Sequence, residues 1–173
     1  TDGRSLDEFI AVPRGVFADD PQWVPPLTME RRDALKASHP VFKHLEWQGF
    51  VAYRDGRAVG RISAQVDSLH LERHRDETGF FGFLDAIDDP TVFHALFEQA
   101  EAWLRARGMR QARGPFSLNI NQEVGLLVDG FDSRPYFMMG HARPWYGPRV
   151  KAWFSATCAG IVSSHNSPRF LAS

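Results

Sequence analysis

Cysteine is almost missing from this chain: Cys158 is the single one in 173 residues. One thiol closes no internal disulfide, so a disulfide-stapled scaffold is excluded and a reducing compartment is expected. An excess of charge of either sign is missing too. The formal net charge is −1, with basic residues dispersed among acidic ones, which leaves no electrostatic footprint for nucleic acid or an anionic membrane surface. No apolar run approaches the length that spans a bilayer, and residues 1–10 carry neither a basic start nor an apolar signal core. The expectation is a cytoplasmic protein with neither nucleic acid nor membrane as partner. An initiator Met is absent, as in a fragment or a processed chain, and no internal repeat is visible. What is present is the composition of a soluble globular protein, 43% hydrophobic and 13% aromatic, at a length that builds one domain with a real core.

The clearest local signal lies between residues 78 and 116. Phe80, Phe81, Phe83, Leu84 and Ile87 put apolar side chains on both faces of a strand over 78–87, as burial on both sides requires. Asp88, Asp89 and Pro90 stop that strand and open a helix. An Asp side chain accepts from the free N–H groups of a helix start, and Pro at the first position gives up no needed donor. Val92, Phe93, Leu96, Phe97, Ala100, Trp103 and Leu104 recur at three- and four-residue steps opposite His94, Glu98, Glu101 and Arg105. Gly108 ends the helix as a left-handed cap behind Arg105 and Arg107. The return strand over 110–116 is predicted parallel to the first, because a crossover helix of this length joins parallel neighbours.

Upstream, Leu6, Phe9, Ile10 and Val12 form a helical face, with Ser5 and Glu8 as a capping box and Pro13 as an interruption. The Pro-rich stretch 18–27 reads as an extended loop pinned by Trp23 and Val24, and Thr28 as the cap of a helix over 29–36. Residues 38–45 read as loop. Segments 47–54 and 57–67 alternate apolar and polar residues around Asp55 and Gly56, a strong hairpin signal. Residues 69–76 read as a polar connection, 137–141 as a short strand and 144–153 as a last helix. From about residue 156 periodicity is lost. The expected division is one domain over 1–155 and an irregular or non-native tail over 156–173.

Several strings in this order carry a resemblance over residues 5–146: Asp20-Pro21-Gln22-Trp23-Val24-Pro25-Pro26-Leu27, Val59-Gly60-Arg61-Ile62, Gly79-Phe80-Phe81-Gly82-Phe83, Gly114-Pro115, and the stretch from Gly125 to Asp132. With the order hairpin, long strand, helix, strand, polar loop, helix, the chain resembles a bacterial GNAT-like (N-acetyltransferase) family. The resemblance implies an α/β (α+β) fold, with a mixed, mostly antiparallel sheet, a central parallel strand pair joined by a long helix, and helices on both faces. It implies an N-acyltransferase that takes an acyl group from acetyl-CoA or another acyl-CoA to a small-molecule amine. Phe83, Leu84, Asp85, Ala86 and Ile87 would then bind the pantetheine arm through their backbone. Thr91 and Val92, at the N-terminus of the next helix, would receive the pyrophosphate. Tyr146 would protonate the leaving thiolate, with Glu123 or Asp85 as base through water. One departure stands out. Asp88, Asp89, Pro90 and Thr91 replace the usual glycine-rich loop, setting two carboxylates and a missing N–H against a diphosphate.

The remaining constellations have two readings each. Asn119, Asn121 and Glu123 either position an amine substrate or satisfy the backbone of an irregular loop. Asp85 is either a base whose pKa burial raises, or a residue that points outward at the strand edge or pairs with Arg61 or Arg113, and the second reading is favoured. His70, Glu72, His74 and Asp76 have metal-ligand spacing, but interleaved arginines favour a solvated connection, so no metal is expected. Ser163, Ser164 and His165 offer hydrolase residue types without a nucleophile elbow, and Cys158 with His165 is weaker still. Besides the transferase, a non-catalytic GNAT-like module that binds a ligand or a protein partner therefore stands as the alternative, and a small hydrolase as a third.

Overall fold

Asp67 and Asp89 show how short side chains punctuate this chain. In the computed structural model, which describes residues 3–119, 122–136, 139–156, 165–166 and 170–172, each accepts a hydrogen bond from the backbone N–H two residues on and starts a helix. Helices α1 (Gly3–Val16) and α2 (Thr28–Ala34) lead to a 3-10 turn at Pro40–Lys43 and the hairpin β1 (Leu45–Arg54) and β2 (Arg57–Asp67). Then follow α3 (Ser68–His74), β3 (Thr78–Ala86), α4 (Pro90–Arg105), β4 (Gln111–Arg113), β5 (Leu126–Leu127), α5 (Tyr146–Ala156), β6 (His165–Asn166) and β7 (Phe170–Ala172).

The mixed α/β class is as expected: a four-stranded sheet in the order β1-β2-β3-β4, antiparallel except for β3 and β4, which run parallel through the α4 crossover. The parallel pair stands at one end of this sheet rather than at its centre. On β2, Gly60, Ile62 and Ala64 alternate with Arg61, Ser63 and Gln65. Because successive strand residues face opposite sides, the first set meets α4, where Val92 and Leu96 crowd Gly60. The second faces α1, whose Phe9 carbonyl accepts from Arg61. Phe81, Phe97, Leu96 and Ile62 fill the core on the α4 side, and Phe9, Phe83, Leu118 and Leu45 fill it on the α1 side.

Several local expectations change. The helix at the N-terminus runs through Pro13 instead of breaking there, with Ser5 inside it rather than capping it. Proline removes the donor that would reach the carbonyl four residues back, and here that carbonyl, Phe9 O, is taken by the Arg61 guanidinium at 3.0 Å. Residues 69–76 are mostly helix, not a polar connection, because Asp67 accepts from Leu69 N–H at 2.9 Å. Thr28 lies within α2, whose N-cap is Leu27. The return strand is short, and residues 139–141 of the expected last strand are irregular, while Phe137 lies outside the described residues. Within the expected tail, β7 pairs with β5 on one side and β6 on the other in a second, antiparallel sheet. Among the described residues no helix is long and apolar enough to cross a membrane.

Candidate active site

Strand β3 departs from its pairing with β2 at one place. Arg61 pairs with Asp85 and Ser63 with Gly82, so one extra residue of β3 is squeezed between them. Phe83 absorbs it with φ 47°. A bulky residue there is strained, and such a bulge re-aims the side chains beside it. Phe83 turns its ring into the α1-side core against Phe9 and Trp47, Leu84 enters the α4-side core, and Asp85 points back to Arg61. On the other edge, β4 pairs with β3 only from Thr78 to Phe80. The chain beyond it stays close: Phe116 N–H donates to Phe81 O at 2.7 Å, and a side chain at Gly82 would collide with the Phe116 carbonyl.

Past this point no strand pairs with β3 on that edge among the described residues, and a cleft opens between its C-terminal half, the Pro-rich loop and α2. The outer part, about 430 Å³, is walled by Val24, Pro25, Pro26, Pro135, Tyr136 and Met139, with Arg31 and Glu123 at its base. An inner pocket of about 80 Å³ continues from the same Arg31 and Glu123 to Arg61, Asp85, Phe17 and His141. Pairing of these charges is close throughout. Arg31 donates to Glu123, whose side chain is the more exposed of the two at 34% against 14%. Arg61 donates from Nε and Nη2 to Asp85 Oδ2 at 2.8 and 2.7 Å, both side chains being buried. Burial pushes the Asp85 carboxyl above its ordinary value, with the Glu123 charge adding to the rise and Arg61 opposing it. Asp20 and His141, 121 residues apart in sequence, meet at 2.8 Å between Oδ2 and Nε2. Burial pushes Asp20 up, but the hydrogen bonds from His141 and from Gln22 N–H, with the electrostatic attraction of His141 and then Arg143, outweigh it and hold the carboxyl below its ordinary value.

Asp85 and Glu123, the two alternative bases, line the same inner pocket, each paired with an arginine. Tyr146 lies behind them. It is fully buried, its ring packs on Phe17 and Phe93, and its hydroxyl accepts the Ala86 N–H at 2.8 Å. Burial, then the neighbouring Asp85 charge, pushes its phenol well above the ordinary value, which makes it a poorer proton donor than an exposed tyrosine. Asn119 is half-buried and its carbonyl accepts from Gln122 N–H at 3.0 Å; Asn121 lies outside the described residues.

The groups expected to hold a CoA diphosphate are engaged. Thr91 N–H is bonded to Asp89 Oδ1 at 2.8 Å, Val92 and Phe93 N–H both go to Asp89 O, and Pro90 has no donor. Asp88 pairs with Arg149 and Asp89 with Arg54. Ala86 N–H is taken by Tyr146 and Ile87 N–H by Val59 O. An amide cradle for a diphosphate therefore does not fit this helix start, although two guanidiniums flank it. On α3, His70 bonds Asp76 at 3.1 Å and stacks on His74, and no group of three metal-ligating side chains occurs among the described residues. Cys158, Ser163 and Ser164 lie outside the described residues.

Arg31, Asp20 and His141 were missed as site residues. The signal for Asp20 was its Asx turn ahead of Pro21, but no local spacing announces a partner so distant.

Fold and site together define a mixed α/β domain with an apolar-walled cleft that ends on paired charges beside a strand bulge. The chain is 53% identical over 148 residues to the Bacterial ceramide synthase of Caulobacter vibrioides, covering 84% of this chain and 38% of that protein. It is also 53% identical over 148 residues to Protein YghO of Escherichia coli K12, covering 86% of this chain and 38% of that protein. The chain thus spans 38% of the length of each of these curated relatives. No family model and no solved structure matches it.

Proposed function

We propose that this chain is a GNAT-like N-acyltransferase domain that moves an acyl group from an acyl thioester to the amine of a long-chain amino alcohol. The carrying observation is the cleft: an apolar outer part leads to a base of paired charges where the carboxylate of Glu123 is more exposed than its arginine. Its size is that of a small-molecule pocket, mostly apolar with a few convergent polar groups. Val24 and Tyr136 on its wall are exposed, as are Leu27 and Met29 next to it, so an aliphatic chain gains burial at both the wall and the rim. An ammonium or amine head reaching the base meets Glu123. The likeness to a protein named ceramide synthase supports the same substrate class, since a ceramide is an N-acylated long-chain amino alcohol.

Amine and thioester held side by side react faster because the encounter is already paid for in binding. Neither Asp85 nor Tyr146 suits proton transfer well: protonating Asp85 would leave the buried Arg61 charge unbalanced, and the Tyr146 hydroxyl is occupied by the β3 backbone. In this reading both hold the bulge and the cleft in shape. A second reading, a module that binds the lipid without chemistry, is favoured by the engaged N–H groups at Thr91, Val92 and Ala86. The two separate in one assay. The chain, a long-chain acyl-CoA and a long-chain amino alcohol are incubated, and free thiol and amide are measured by absorbance and mass spectrometry. Thiol and amide in equal amounts, with a raised KM for the amine in Glu123→Gln, is the expected result. Thiol without amide would indicate hydrolysis, and neither product would leave the binding module.

A further inference from the structure

We infer that His141, oriented by Asp20, is the general base that takes the proton from the attacking amine; this rests on the acyl-transfer reading above. The His141 side chain is 4% exposed, its ring borders the inner pocket, and Nε2 lies 2.8 Å from Asp20 Oδ2. An ionised carboxylate only accepts hydrogen bonds, so Nε2 carries a proton, and Nδ1 is the ring position that can offer a lone pair. That Nδ1 is buried without a hydrogen-bond partner among the described residues. Buried polar atoms left unpaired are uncommon and mark strain, a missing ligand or a catalytic role. The arrangement is a base, an orienting carboxylate and a pocket, the pattern in which a carboxylate fixes the tautomer of an imidazole.

Asp20 itself is fixed from three sides: by His141, by the Gln22 N–H at 2.9 Å, and by Arg143, whose Nε lies 3.4 Å away. The edge of the imidazole rests on Phe17 at 5.3 Å between ring centroids. Both contacts restrain the ring. The charged groups around it are Asp20 and Arg143 on the Nε2 side and Arg61, Asp85, Arg31 and Glu123 around the inner pocket. The four pocket groups form two closed ion pairs, which leaves His141 Nδ1 as the buried side-chain polar atom without a partner among the residues lining the inner pocket. In the step, the amine nitrogen forms a bond to the thioester carbonyl carbon and its surplus proton passes to Nδ1. The C–S bond then breaks, and the imidazolium returns that proton to the departing thiolate sulfur, so amide and thiol leave and the ring is neutral again.

The test measures kcat and KM against pH for the wild-type chain, His141→Ala and Asp20→Asn, with a long-chain acyl-CoA and a long-chain amino alcohol. The expected result for His141→Ala is a kcat lower by about 100-fold or more, an unchanged KM for the amine, loss of the wild-type acid limb, and partial rescue by added imidazole. Asp20 is a positioning residue: Asn in its place can donate to Nε2, which favours the Nδ1–H tautomer and should lower kcat while leaving KM alone. Nitrogen-15 NMR of the unaltered chain reads the tautomer whether or not the variants fold, and Nε2–H with a bare Nδ1 is expected. An active wild type with an equally active, folded His141→Ala, or an Nδ1–H resting ring, would overturn the assignment while leaving acyl transfer standing. A wild type that makes no amide would overturn both.

Discussion

Arg61 does three things from one position: it balances Asp85, it takes the Phe9 carbonyl that Pro13 leaves without a donor, and its guanidinium stacks over the Phe9 and Phe83 rings. Removing it leaves an uncompensated carboxylate in the interior, which costs about 3–5 kcal/mol. Arg61→Ala should therefore show that loss in chemical denaturation near neutral pH, and the loss should depend on pH. The Asp85 carboxyl already lies above its ordinary value through burial, and without Arg61 it must rise further. A group whose folded pKa exceeds its unfolded one binds the proton more tightly when folded. Its stabilising contribution is present below the unfolded value and lost as pH rises through the folded value. The variant should thus be nearest to wild type in acid and fall away as pH climbs past the ordinary carboxylate range; a pH-independent deficit would contradict a buried Asp85. The pairing of Asp85 with an arginine was legible only as one of two options beside an outward position at the strand edge, because the sequence does not say which face of β3 is covered; folded, Asp85 is buried on Arg61. Tyr146 was legible only as a residue of the last helix. Its role as acceptor for Ala86 N–H depends on where α5 docks, which no local pattern encodes.

At the scale of elements, what repeats along the chain was readable and what depends on one distant partner was not. The stripe on α4 and the alternation on β1 and β2 are local periodicities, and all three elements form close to their expected bounds. The helix through Pro13 was not readable, since the donor that replaces the missing N–H comes from β2. Helix α3 was missed because Asp67 reads equally as the end of a strand and as a cap. The orientation of α4 makes a direct prediction. Phe97 is 2% exposed, edge-on to Phe81 and stacked on Trp153 of α5 at 5.6 Å, so Phe97→Ala should cost about 3–5 kcal/mol through lost transfer energy and the cavity left behind. Urea denaturation measures this, and an unchanged midpoint with an unchanged slope would mean that α4 turns a different face to the sheet. Trp103 was expected to be as buried as Phe97 and is only partly so. It lies near the helix end, where Arg107 stacks on its ring at 3.6 Å.

On the scale of the whole molecule, the sheet, the Pro-rich loop and α2 make a cleft that none of them has alone. Glu123, Asp85 and His141 come from three separate stretches, and only the first two were singled out from the sequence. Two identical aspartates at a helix start read as a repulsive obstacle to a diphosphate; folded, Arg54 and Arg149 neutralise them, so the obstacle is the engaged N–H groups and not the charge. The central claim is that a long-chain amine sits with its chain along the apolar wall and its head at Glu123 and His141. The most direct measurement is photocrosslinking of the chain with a long-chain amino alcohol bearing a photoreactive group at the tail, mapped by peptide mass spectrometry. The account predicts labels on Val24, Pro25, Tyr136 and Met139, suppressed by excess unlabelled amino alcohol. Labels spread over the sheet face under α4, or insensitive to competitor, would contradict it.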